Sequence, residues 1–216
     1  ALQCAADATS SLRLGALVYD NDYRHPVLLA KELATMDVLS DGRVEIGIGA
    51  GWMVTDYEQA GIASDPPGVR VSRLIEGLHV IRSALGPEPF SFAGDHYSIT
   101  DYDGRPKPVQ QRPPVLIGGG GPRVLRFAAR EADIVGINAT LASGAVDATT
   151  FASMTADAVD VKVDVVREAA LAAGRLDEIE MNIRVFMVFV TDDVAPAIAT
   201  LSEFTGAADE LSGAVL

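Results

Sequence analysis

Short, nearly continuous apolar runs alternate along this chain with longer stretches whose apolar residues recur every three to four positions. The short runs predict strands over Leu12–Tyr19, Val44–Gly49, Val115–Ile117, Asp133–Asn138 and Met181–Val190. The longer stretches predict helices over His25–Leu39, Val71–Leu85, Val124–Ala132, Phe151–Ala173 and Val194–Phe204. Strands that are apolar on both faces belong in a parallel sheet covered on both sides. The pattern is therefore a series of βα repeats, either a (β/α)₈ barrel or a doubly wound open sheet. Between Gly86 and Pro114 the repeat is interrupted by aromatics, glycine and proline, with Phe90, Phe92 and Tyr97 around Gly94. That alternation predicts a β-hairpin insertion at about residues 86–113.

A barrel closes with eight strands, usually in about 250 residues, and fewer are visible here. The chain opens at Leu2–Ala8 in what reads as the end of a helix and stops at Ser212–Leu216, where another strand is due. The expectation is an incomplete barrel lacking units at both ends; a complete chain would favour the open sheet.

With 216 residues and 49% hydrophobic content the chain can bury a core, and a single domain over 1–216 is expected. A net charge of −13 argues against nucleic acid and anionic membrane surfaces as partners. Any bound anion must then be held by local dipoles. Cys4 is the single cysteine, which excludes an internal disulfide and fits a reducing cytoplasm. No apolar run approaches the ~18 residues of a membrane span, and no signal-peptide pattern is seen. His25, His79 and His96 are too scattered to suggest a metal site, and His79 reads as structural, within an amphipathic helix.

The densest chemistry lies at Val115–Arg123, where an apolar run enters Gly118, Gly119, Gly120 and Gly121 and Pro122 opens a helix. Successive glycines allow backbone N–H groups to turn toward one point. Proline is suited to the first turn of a helix, where its missing N–H costs nothing. The helix start adds unpaired donors and partial positive charge, so the segment is a candidate phosphate cradle, to which Arg123 offers a forked charge. The bland alternative is a flexible glycine turn. On the first reading, Gly120→Asp should abolish phosphate binding and leave the fold mostly intact.

A second cluster, Gly47, Gly49 and Gly51, follows the second visible strand. It is a weak dinucleotide signal, since no third glycine falls in register and position 52 is Trp. Small alternating residues suit a barrel strand beside a flat ligand, with Ala50, Gly51 and Trp52 at its carboxyl end. Trp52 either walls a ring or packs beneath the loop.

Leu12–Val18, His25–Arg43, Gly47–Trp52 and Gly118–Pro122 together resemble the luciferase-like monooxygenase family, and Asp133–Ala139 is most similar to its F420-dependent oxidoreductase branch. The resemblance implies an α/β fold, a (β/α)₈ barrel present here as about units three to seven. It implies FMN or the deazaflavin coenzyme F420 at the strands' carboxyl ends, a small-molecule substrate, and a homodimer when full length. Gly118–Gly121 with Pro122 match the family's phosphate cradle. Ala50, Gly51 and Trp52 match the segment beside the ring and ribityl chain. Leu17 and Val18 match a bulge that in many members holds a non-proline cis peptide. Asn138, at a strand end, is a further contact candidate or a turn residue.

The acid and histidine groups that relatives use at the second barrel strand lie outside this chain, so no catalytic residue is named. Asp56, Tyr57 and Glu58 either approach the mouth or form a short surface helix. Asp20, Asn21 and Asp22 read as turn or capping residues, and Tyr23–Pro26 as the start of a helix. The acidic groups Asp157, Asp160, Asp164, Asp192 and Asp193 read as solvated faces. The leading expectation is F420-dependent hydride transfer. The alternatives are an FMN-dependent monooxygenase using O₂ and a non-catalytic flavin-binding relative. An isomerase or aldolase would want a lysine or glutamate at a strand end, whereas Lys31, Lys107 and Lys162 fall in helices or the insertion.

Overall fold

The computed structural model describes residues 1–141, 143–185 and 190–205. It falls into two compact units, one formed by Ala1–Gly51 with Tyr57–Ile117, the other by Trp52–Asp56 with the described residues from Gly118 on.

The first unit opens with α1 (Leu2–Asp7), β1 (Tyr19–Asp20), a 3-10 turn (Asn21–Tyr23), α2 (Pro26–Leu39) and β2 (Ile46–Gly49). After α3 (Val54–Ala60), which starts in the other unit, come α4 (Pro67–Leu85), β3 (Phe90–Ala93), β4 (Ser98–Tyr102) and the start of β5 (Val115–Gly119). Strands β1, β2 and β5 lie side by side and parallel, in that order. Both faces of β2 are buried, as its run of Ile46, Gly47, Ile48 and Gly49 requires. Helices α2 and α4 pack on each other, and Leu29, Leu33, Leu74, Leu78 and Ile81 are buried in the unit's core. His25 caps α2 by accepting from the Val27 amide at 3.3 Å, with Pro26 in the first turn. Asp20 accepts from the Asp22 amide at 2.9 Å and caps the 3-10 turn, the role its sequence suggested. The hairpin falls inside the expected insertion, with β3 and β4 antiparallel. His79, on α4, stacks at 5.0 Å on Phe92 of that hairpin.

The strand expected over Leu12–Tyr19 is broken. It pairs with the next strand at Leu14, opposite Val44, and again at Tyr19, opposite Ile48. Five steps on one side oppose four on the other, so one extra residue bulges between them. Within the bulge the Leu17–Val18 peptide bond is cis, as the resemblance implies.

The second unit contains the end of β5, then α5 (Pro122–Glu131), β6 (Ile134–Ile137), α6 (Ala148–Ala152), α7 (Ala156–Ala172), β7 (Glu180–Ile183) and α8 (Val194–Thr205). Its strands run in the order β5, β6, β7, with β6 and β7 parallel. Helix α5 packs on α7, with Leu125, Ala128, Val166 and Ala170 buried. The single helix expected over Phe151–Ala173 is two. Ser153 ends α6, and Thr155 restarts the chain as the cap of α7, its hydroxyl accepting from the Ala158 amide at 3.4 Å. Hydroxyl caps compete with helix continuation, and here they win. The expected strand Met181–Val190 is shorter: β7 ends at Ile183, and 186–189 lie outside the described residues, as do Ser212–Leu216.

A buried carboxylate ties the first unit together. Asp37, on α2 and fully buried, accepts from the Gln110 amide at 3.0 Å, the Gln110 side chain at 2.7 Å and the Val44 amide at 3.4 Å. It joins a helix, the approach to β2 and the segment returning from the hairpin. Asp37→Ala would take the acceptor from the Val44 and Gln110 backbone amides, while the Gln110 side chain keeps its bond to the Val44 carbonyl at 2.8 Å, at a cost of about 1–3 kcal/mol. Urea unfolding should show that loss, and an unchanged midpoint would contradict the role assigned to Asp37.

Candidate functional site

In the second unit the glycine quartet sits at the carboxyl end of β5 and leads directly into α5. Gly118, Gly119, Gly120 and Gly121 are all half-exposed, so their backbone meets solvent rather than the core. Gly121 is the N-cap of α5 and Pro122 occupies its first turn; no side chain caps the helix. A ten-residue helix therefore starts with amide donors that no capping side chain occupies, the arrangement that favours an anion. Arg123 is exposed beside them.

The glycines are not interchangeable. A Cβ on Gly119 would overlap Val124, and one on Gly120 would overlap the carbonyl oxygen of Ala139. A Cβ on Gly121 would meet nothing within 4 Å, and its backbone, at φ −90°, suits any residue. This corrects the expectation for Gly120→Asp. That change strikes neighbouring backbone and would damage the fold along with any ligand site. Gly121 is the position where a side chain enters open space.

Asn138, just past β6, donates its amide to Gly119 at 3.0 Å, and the Thr140 hydroxyl donates to the Gly120 carbonyl at 3.2 Å. The turn after β6 thus braces the glycine segment. Trp52 is half-exposed and lies near Gly144, whose carbonyl accepts from the Val54 amide at 3.1 Å.

In the first unit Leu17 is exposed and Val18 half-buried, with Val18 beside Gly47. A Cβ on Gly47 would overlap the carbonyl of Ala16, so the bulge rides directly over the glycine of β2. Ala50 and Gly51 follow β2. Gly51 has φ +70°, and a Cβ there would overlap the Tyr57 hydroxyl and the Asp20 carboxylate.

The sequence reading missed the group beneath Gly51. Asp56 and Glu58 are exposed on α3, as a surface helix requires, but Tyr57 is fully buried. Its hydroxyl donates to Asp20 at 2.9 Å and reaches Asp22 at 3.1 Å. The Arg70 guanidinium, also buried, lies 5.5 Å from the Tyr57 ring centroid. Burial pushes the Asp20 pKa above the ordinary aspartate range, partly offset by the Asp22 amide and the Tyr57 hydroxyl. Burial, then the Asp20 charge, drives the Tyr57 phenol well above its usual pKa, which keeps it a neutral donor. Asp20 stands after a strand and Tyr57 on the next helix, a long-range pairing with no local sequence signal. Among the described residues no group of three or more acids, histidines or cysteines is placed to hold a metal ion, and no helix is long and apolar enough to cross a membrane.

The model of the luciferase-like monooxygenase family matches residues 1–211, and the chain belongs to that family. It is 29% identical over 203 residues to an FMNH(2)-dependent dimethylsulfone monooxygenase of Pseudomonas putida, covering 94% of this chain and 51% of that protein. It is 32% identical over 136 residues to an F420-dependent glucose-6-phosphate dehydrogenase of Amycolatopsis mediterranei, covering 61% of this chain and 40% of the relative. The solved structure of the monooxygenase RslO1 from Streptomyces bottropensis superposes with a TM-score of 0.72 at 23% identity, over 99% of this chain and 61% of that one. The chain thus spans about half the length of the curated relatives it matches. Its fold class is α/β, part of the luciferase-like (β/α)₈ barrel.

The raised pKa of Asp20 has a consequence for stability. The folded chain holds this proton to higher pH than the unfolded chain does. Stability therefore falls as pH rises from the unfolded aspartate value through the raised one. Asp20→Asn removes that component. Urea midpoints across the acidic range should show the variant gaining on the wild type as pH rises, and a pH-independent difference would contradict the assignment.

Proposed function

We propose that this protein is a cofactor-dependent oxidoreductase that uses coenzyme F420 for hydride transfer to or from a small organic substrate. The observation that carries the reading is the half-exposed glycine quartet at the carboxyl end of β5, running into the uncapped start of α5. In a chain of net charge −13, such a cradle supplies the local positive potential that an anionic cofactor needs. The backbone of Gly118, Gly119, Gly120 and Gly121, with Pro122 setting the helix start, would hold the cofactor's phosphate. The open space beside Gly121 fits that role, since nothing lies within 4 Å of where a side chain would begin. Asn138 and Trp52 are proposed as further cofactor contacts in the same unit. Leu17, Val18, Ala50 and Gly51 are proposed as contacts of the ring and ribityl chain on the strength of the family match. When bound, the deazaflavin accepts or donates the hydride; the protein binds, orients and excludes water.

A second reading has its own support. The FMNH(2)-dependent relative matches 94% of the chain, against 61% for the F420-dependent one. An FMN-dependent monooxygenase would use the same phosphate cradle.

Titration of the protein with F420 and with FMN, followed by fluorescence, separates the two. F420 should bind the more tightly; FMN affinity equal or higher would move the assignment to the second reading. The Gly121→Asp variant tests the cradle that both share. Aspartate is a better N-cap than glycine by a few tenths of a kcal/mol, so the unfolding temperature should hold or rise slightly. Cofactor affinity should nevertheless drop at least about tenfold, from charge repulsion at the helix start. Retained affinity for both cofactors would remove the cradle from the account.

A further inference from the structure

Lys162 carries a burial that its position on a helix does not by itself require. It lies on α7 with only 8% of its surface exposed. Its ammonium donates to the carbonyl of Asn138 at 2.8 Å and to that of Ser153 at 2.6 Å, with the Met154 sulfur at 3.9 Å. Two neutral carbonyls hold it, and burial lowers its pKa. Burying an ammonium in this way is costly unless something else benefits from the charge or from the geometry it fixes.

The groups it fixes lead to the glycine segment. Ser153, whose carbonyl Lys162 holds, accepts the Thr140 amide on its hydroxyl at 2.8 Å. The Thr140 hydroxyl donates to the Gly120 carbonyl, and the Asn138 amide donates to that of Gly119. A single ammonium therefore holds the turn after β6 directly at Asn138 and, through Ser153 at the end of α6, at Thr140. The front of the same turn holds two of the four glycine carbonyls in place. With their carbonyls fixed, the peptide planes of the glycine run are fixed as well, and with them the directions of the amides.

We infer that Lys162 is a positioning residue for the phosphate cradle, acting through the 138–140 turn on Gly119 and Gly120. Its charge, met among the described residues by two carbonyl dipoles and the Met154 sulfur, adds positive potential to the same unit. The inference rests on the cradle reading given above, and deepens it: the specificity of this site for a phosphate-bearing cofactor over the same ring without phosphate depends on a lysine that never touches the ligand.

The test compares paired probes, FMN against riboflavin and F420 against its phosphate-free deazariboflavin, on the wild type, Lys162→Met and Thr140→Val. The wild type should prefer the phosphate-bearing member of at least one pair. Lys162→Met should cut that preference about tenfold, the worth of hydrogen bonds to a charged group, with affinity for the phosphate-free probe within about twofold. Thr140→Val, which leaves the lysine in place, should cut the preference in the same direction by about threefold. A folded Lys162→Met protein with its preference intact overturns the inference. So does equal weakening of both members of a pair, which marks a general scaffold role. If Lys162→Met does not fold, Thr140→Val decides by the same criteria. A wild type with no phosphate preference in either pair overturns the cradle reading itself, before any variant is measured, and this inference with it.

Discussion

At the carboxyl end of β5 the backbone passes its neighbours too closely for side chains. Val124 fills the space beside Gly119, and the Ala139 carbonyl fills the space beside Gly120. That constraint explains glycine at 119 and 120, and it also leaves the backbone bare where α5 begins. Hydrogen bonds from Asn138 and Thr140 then hold the bare segment in one conformation. A preorganised donor array costs little reorganisation when an anion arrives, which is what separates a binding site from a loose turn. In the proposed reading the second unit builds this with the Asn138 and Thr140 hydrogen bonds, backed by the buried Lys162 ammonium.

A comparable economy marks the first unit. The bulge between Leu14 and Tyr19 passes over Gly47, and the Tyr57–Asp20 pair fills the space a side chain on Gly51 would need. In both cases a glycine in β2 or just beyond it is fixed by what lies against it. Asp37, buried where α2, the approach to β2 and the returning chain meet, ties these segments of the same unit together. The match over residues 1–211 places both units in the luciferase-like monooxygenase family.

Much of this was legible in the residues. Pro26 and Pro122 marked helix starts to within a few positions, and the alternation around Gly94 marked the hairpin. Two of the features that escaped are set by partners distant in sequence, and one by a local competition between hydrogen bonds. The bulge shows only in the register against β2, because Leu12–Tyr19 alone reads as one apolar run. The break at Ser153–Thr155 depends on which hydroxyl bonds win. Tyr57 looked like one residue of an acidic surface helix until Asp20 and Arg70 were seen around it. Lys162 did leave a trace. With Val166 and Ala170 it forms a buried stripe at four-residue spacing, so a charge on that stripe was the available signal.

The most direct test of the central claim follows the backbone amides themselves. In a ¹H–¹⁵N titration of the protein with its phosphate-bearing cofactor, the largest shifts should fall on the amides from Gly119 to Val124. They should be much smaller with the same ring lacking phosphate. Equal shifts with both ligands, or shifts that spare this segment while others move, would contradict the claim that bare backbone at the end of β5 grips the anion.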